Sequence, residues 1–181
     1  HEHADQTSGI FEMRPFFWKN QKKIPVYGSK RTIDSLLSKY TFCFSPKHGY
    51  KPIMKAYTVK NYFRIKKQNQ ILKILPIDVI HGMIKATGYI FDNIAYISDC
   101  NKIPLRSLKN LYNLDYLILD CLRRKKHPSH FNYDEALSLV KKIKPKKTIL
   151  TNLHTDLDYS FLKKNLPNNI VPAFDGMKIK I

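Results

Sequence analysis

Short apolar runs alternate with stretches of helical spacing along most of the chain. Ile24, Val26 and Tyr27 mark a brief strand. Ser29 then stands ahead of Ile33, Leu36, Leu37 and Tyr40, whose i, i+3, i+4, i+7 spacing predicts a capped amphipathic helix. Residues 72–80 read as a strand running into His81-Gly82, and residues 89–91 and 94–98 flank Asp92-Asn93, a hairpin turn signal. The second arm of that hairpin delivers Asp99 at its end. Pro104 opens a helix carrying Leu105, Leu108 and Tyr112. The continuous apolar run over residues 116–119 predicts a strand buried on both faces. Asn132 and Glu135 form a capping pair for a helix with Ala136, Leu139, Val140 and Ile143 on its inner side. Residues 148–150 form the next buried strand, which reaches Thr151-Asn152-Leu153-His154. A short helix and two strands, over residues 170–174 and 177–181, close the chain. Residues 41–70, broken by Pro46, Gly49 and Pro52, predict loops that hold an insertion or a lid. The alternation implies an α/β (α+β) domain, a mixed sheet flanked by helices with polar residues in the loops after strand ends.

At 181 residues the chain predicts a single domain spanning 1–181, large enough to bury a core. Hydrophobic residues at 43% against 25% charged residues exclude a disordered chain. No run reaches the roughly 18 apolar residues of a membrane span, and the opening residues carry no signal pattern. Cys43, Cys100 and Cys121 are far apart, with no CxxC among them, and predict reduced thiols in a cytoplasmic protein without a membrane partner. The net charge of +18 has two readings. One is an anionic partner such as a nucleic acid or a phosphorylated metabolite. The other is a background rich in Lys, since Lys is spread along the whole chain. Arg123-Arg124-Lys125-Lys126 stands apart as a cluster immediately before His127-Pro128-Ser129-His130, where it could steer a phosphate.

The candidate chemistry begins at His1-Glu2-His3-Ala4-Asp5-Gln6. In an extended segment His1, His3 and Asp5 point the same way and could converge on one or two metal ions. The rival reading is the remnant of a histidine tag. Further ligands elsewhere decide between them, and His81, Asp99 and His154 all sit at predicted strand ends, with His130 in a loop. Singly, each is an ordinary structural histidine or turn-capping acid. Together they are four segments delivering metal-type donors from comparable positions.

In their order, H-x-H-x-D, His81-Gly82, Asp99, His127-Pro128-Ser129-His130 and the run from Leu150 to Tyr159 resemble the metallo-β-lactamase superfamily. Within it they resemble the branch of the phosphoribosyl cyclic phosphodiesterases. The resemblance extends over essentially the whole chain, to Pro172-Ala173-Phe174-Asp175-Gly176-Met177. It implies an αβ/βα sandwich, and a metal-dependent hydrolase that cleaves a phosphodiester with a metal-bound hydroxide. It further implies a first divalent metal, zinc or manganese, on His1, His3, His81 and Asp99. A second would use Asp5, the shared Asp99 and two more histidines. Gln6 and Asn152 stand where those two histidines are expected, so the second site is weakened or empty. His154 shares strand parity with Asn152 and could compensate. His130 matches the histidine that approaches the phosphate and protonates the leaving oxygen; it and Asp5 are the implied catalytic residues. The family's opening strands have no counterpart before His1, so the chain corresponds to the C-terminal two-thirds of the fold. That would expose a sheet edge and favour pairing with a second copy. The expected substrate is a phosphorylated small molecule or nucleotide. Two other readings stand beside this one: a non-catalytic remnant that keeps the fold, and an RNA-processing nuclease, since tRNA 3′-end nucleases share the superfamily.

Overall fold

Along the second half of strand β4 (Gln70–His81), Ile77, Val79 and His81 alternate inward while their neighbours are only partly buried. A period of two therefore places the last residue, a histidine, on the same face as the core valine and isoleucine. The computed structural model describes residues 1–46, 49, 51–67 and 69–179. These residues form two compact units, His1–Tyr62 and Phe63–Ile181.

The larger unit is built on a seven-stranded mixed sheet. Its strands, in spatial and chain order, are β3 (Phe63–Lys67), β4, β5 (Ile84–Phe91), β6 (Ile94–Ile97), β7 (Tyr116–Asp120), β8 (Lys147–Thr151) and β9 (Ile170–Pro172). Neighbours from β3 to β6 pair antiparallel, and from β6 to β9 parallel. The direction of β4 is thus that of β6, two antiparallel steps away. Consequently β4, β6, β7 and β8 all end at one edge of the sheet, where a parallel sheet presents its binding loops. Asp92, in the left-handed region at φ 50°, makes the tight β5–β6 turn. The parallel strands need crossovers. These carry α5 (Leu105–Leu108) with a 3-10 turn, α6 (Tyr133–Ile143) and α7 (Tyr159–Asn165).

Ile97, Leu117, Leu119, Leu150, Ala136 and Leu162 are fully enclosed in this unit's core. Strand β7 is less symmetric than its apolar run implies. Leu117 and Leu119 are buried, while Tyr116 and Ile118 on the other face are only partly covered. The expected closing strand at 177–181 is absent at residues 177–179, while residues 180 and 181 lie outside the described residues. Helix α6 begins with a full capping box. The Glu135 amide donates to Asn132 Oδ1 at 2.9 Å, and the Asn132 amide donates to Glu135 Oε2 at 3.1 Å. The same residue ends the loop that carries His130.

In the smaller unit, α1 (Ala4–Thr7), a 3-10 turn and α2 (Arg14–Asn20) precede β1 (Ile24–Gly28). Next come α3 (Lys30–Lys39), α4 (Thr41–Phe44) and β2 (Met54–Thr58), which pairs parallel with β1. The helices over residues 4–20 carry no apolar stripe that would announce them. Phe17 alone of α2 is buried, and Phe16 and Trp18 are more than half exposed. Helix α3 is capped by Ser29, whose hydroxyl accepts from the Thr32 amide at 3.3 Å. Ile33 and Leu36 are buried as the spacing predicts, but Leu37 is exposed. Residues 41–70 hold α4, β2 and β3 rather than a long loop; positions 47, 48, 50 and 68 lie outside the described residues.

Because Asn132 is buried and closes one end of the His130 loop, Asn132→Ala should lower stability by about 1–2 kcal/mol, the upper range for a cap. Urea denaturation followed by circular dichroism measures it, and Glu135→Ala should cost less.

Candidate metal centre

His81 ends β4, and its Nδ1 lies 2.8 Å from the Ser129 carbonyl oxygen. A carbonyl can only accept, so Nδ1 carries the proton and the lone pair is left on Nε2. Gly82 follows in the left-handed region at φ 61°, where an added Cβ would come within 3.1 Å of the Ser129 Cβ. Its amide donates to Asn101 Oδ1 at 2.9 Å, and Asn101 Nδ2 donates to the Pro128 carbonyl at 3.0 Å. One asparagine thereby ties the His81 turn to the loop that carries His130.

That loop is held at further points. The Phe131 amide donates to the Cys100 carbonyl at 2.7 Å, and the Leu122 amide to the Phe131 carbonyl at 2.9 Å. His130 Nδ1 donates to Asp120 Oδ2 at 2.8 Å, which again leaves Nε2 as the outward nitrogen. Asp120 ends β7 with no exposure at all. Burial pushes its carboxyl up to about 6, against the opposing pull of the Cys100 amide, His130 and the Asn152 amide. The rings of His81 and His130 meet edge to face at 4.7 Å, and His127 lies 5.1 Å from His130. Partial burial, with His130, Arg123 and His81 nearby, holds His127 below the ordinary histidine value.

Asp99, two residues past β6 and buried, completes the group. One ligand atom each from His81, Asp99 and His130 lie within 4.8 Å of one another. The His81 imidazole, with its Nδ1 already committed, and the Asp99 carboxylate offer donors that fit a divalent ion such as zinc or manganese, with His130 Nε2 beside them. Beside it, Thr151, Asn152, Leu153 and residues 173–177 line a cavity of about 450 Å³.

Not every expected ligand behaves as its spacing suggests. Strand β8 stops at Thr151 and Asn152 turns left-handed at φ 66°, so strand parity does not carry on to His154. The His154 side chain is 56% exposed, with Nδ1 3.4 Å from Asp156 Oδ1, and it joins no metal-ligand group among the described residues. The compensating role expected of it therefore fails. Asn152 does reach the centre, but through its amide nitrogen, which donates to Asp120 Oδ1 at 3.2 Å and Asp99 Oδ1 at 3.3 Å.

In the smaller unit, His1 and His3 pack edge to face at 4.3 Å. His3 is extended and caps α1, which starts at Ala4. The alternation that would align Asp5 with them is thus broken by a helix, and Asp5 lies exposed in its first turn. The basic cluster is also less free than it reads. Arg123 donates to the Lys125 and Lys126 carbonyls, and Arg124 Nε donates to the Asp156 carbonyl while its guanidinium covers Phe161 at 4.1 Å. Lys125 and Lys126 remain exposed.

Asp120 and Asn101 escaped the sequence reading. The signal for Asp120 was an acid closing an apolar strand, Tyr-Leu-Ile-Leu-Asp, where a charge needs a partner. Asn101 had no signal beyond lying two residues after Asp99.

A family model for the β-lactamase superfamily domain matches residues 1–152, and the chain belongs to that superfamily, with the metallo-β-lactamase fold. Within it, the chain is similar to a diphosphatase of the PhnP family. Their structures superpose with a TM-score of 0.87 at 31% identity, covering 100% of this chain and 69% of that one. The short form of human tRNase Z shares the fold, with a TM-score of 0.70 at 15% identity over 100% of this chain and 76% of that one. So does zinc-bound PqqB from Methylobacterium extorquens, with a TM-score of 0.73 at 12% identity over 100% and 71%. An octanoyltransferase of Porphyromonas gingivalis (strain ATCC BAA-308 / W83) is 27% identical over 183 residues, 98% of this chain. The chain spans only 36% of that curated relative's length.

Asn101→Ala removes two hydrogen bonds that position His81 and His130. Loss of such support should weaken metal affinity about 10–100-fold, read by competition against a chromogenic zinc chelator, with the fold retained by circular dichroism.

Proposed function

We propose that the chain is a metal-dependent hydrolase of phosphodiesters, acting on a phosphorylated small molecule or nucleotide. The observation that carries this is the convergence of His81, Asp99 and His130, with both imidazoles oriented through Nδ1. The similarity to a PhnP-family diphosphatase supports the choice of substrate class. Within the larger unit His81 and Asp99 would hold the ion. When bound, a divalent ion polarises a phosphoryl oxygen and lowers the pKa of water.

The protein's own contribution is orientation and proton delivery. The Asp120 carboxylate holds the His130 proton on Nδ1, directs Nε2 outward, and stabilises the imidazolium when both nitrogens are protonated. From Nε2, His130 gives a proton to the oxygen that leaves phosphorus as water adds to it. The Ser129 carbonyl and Asp120 fix the orientations of His81 and His130, and Asn101 ties the backbone segments that carry them together. Exposed Lys125 and Lys126, close in the chain to His130, raise the local concentration of an anionic substrate.

The purified protein should carry about one equivalent of zinc or manganese and hydrolyse bis-p-nitrophenyl phosphate. His130→Ala should lower kcat about 10²–10⁴-fold, and Asp120→Asn should lower kcat more than it raises KM. A folded sample that binds less than about half an equivalent of either metal would sink this reading.

A further inference from the structure

Asn152 Nδ2 has three neighbours, and all of them are acceptors. They are Asp120 Oδ1 at 3.2 Å, Asp99 Oδ1 at 3.3 Å and the Ser98 carbonyl at 3.5 Å. All three contacts are made by the amide nitrogen, and none of these acceptors is a donor to an amide oxygen. The –NH₂ group must therefore point inward, and Oδ1, the only amide atom able to bind a cation, must point away. Asp99 and Asp120 are 2% and 0% exposed, so their facing oxygens need either a cation or a donor between them. The amide is that donor.

The family pattern puts a second ion on Asp99 with an imidazole from this position. An imidazole would offer the ion a lone pair, whereas the Asn152 amide offers it hydrogens. Gln6 stands at the other position where the family pattern has a histidine. The Asn152 amide, turned as it is, does not fit a second ion.

We infer that Asn152 makes this a one-metal centre, its amide bridging the Asp99 and Asp120 carboxylates where the family pattern has a second ion's imidazole. The inference rests on the metal-dependent reading above and narrows it to a mononuclear site. Because an uncharged clamp is permanent, the Asp99–Asp120 pair holds together in the metal-free protein as well. The left-handed backbone at 152 accepts asparagine, aspartate and histidine more readily than other side chains, so each can be exchanged with little backbone strain.

The experiment loads the wild type, Asn152→His and the double variant Gln6→His with Asn152→His with zinc. Bound metal is counted by elemental analysis and titration calorimetry, and melting is followed in EDTA. About one equivalent in the wild type and about two in the double variant are expected, the hallmark of a restored dinuclear site. Two equivalents in the wild type, or no gain in a folded double variant, would overturn the inference while leaving the hydrolase reading intact. Less than about half an equivalent in every protein would overturn both. Asn152→Asp supplies a check that does not depend on the histidine variants. It keeps the shape but replaces the donor with a third carboxylate, so its melting temperature in EDTA should fall below the wild type's and recover with zinc. An unchanged melting temperature in EDTA would also overturn the clamp.

Discussion

A carboxylate sealed from water must find donors for its oxygens, and Asp120 finds them on three separate segments. The Cys100 amide comes from the end of β6, His130 from the loop before α6, and Asn152 from the end of β8. Each bond costs Asp120 none of its burial and ties one more loop to the end of β7. A carboxylate left alone there would be far more expensive than the bonds are worth in water. The centre is therefore organised from beneath, by a residue that need not touch the substrate.

The sheet supplies the rest. Strands β4, β6, β7 and β8 end at one edge because two antiparallel steps restore direction and two parallel pairings preserve it. Alternation then decides which side chains arrive. His81 inherits the face of Ile77 and Val79, and Asp99 is buried in the bend that follows the end of β6 at Ile97. The apolar residues that hold the sheet together also aim the polar ones. A one-residue slip in β4 would turn His81 to the opposite face along with its core neighbours.

Much of this was legible in the chain. The strands from β4 to β9, the Asp92 turn and the Asn132–Glu135 box follow local rules of spacing and capping, which act over a few residues, whereas β3 was hidden in a segment that reads as loop. His81, Asp99 and His130 were readable because each belongs to a short motif at a strand end or in a loop. What escaped depends on contacts between distant segments. Asp120 draws its partners from 10, 20 and 32 residues away, and Asn101 reaches Gly82 and Pro128 across 19 and 27. His154 misled for the opposite reason. Its two-residue spacing from Asn152 has meaning only on a strand, and the chain leaves the strand at Thr151. At the other end the alternation expected through Asp5 gives way to a helix that begins at Ala4.

The left-handed backbone at Asn152 has an evolutionary consequence. Asparagine and histidine are both at home in that conformation, and their codons differ by a single base. Glutamine and histidine codons, relevant at position 6, also lie one base apart. Two point mutations, with little demand on the backbone at 152, would thus separate the proposed one-metal centre from the two-ion family pattern. The number of ions is a trait that drift or selection can reset without rebuilding the sheet beneath it.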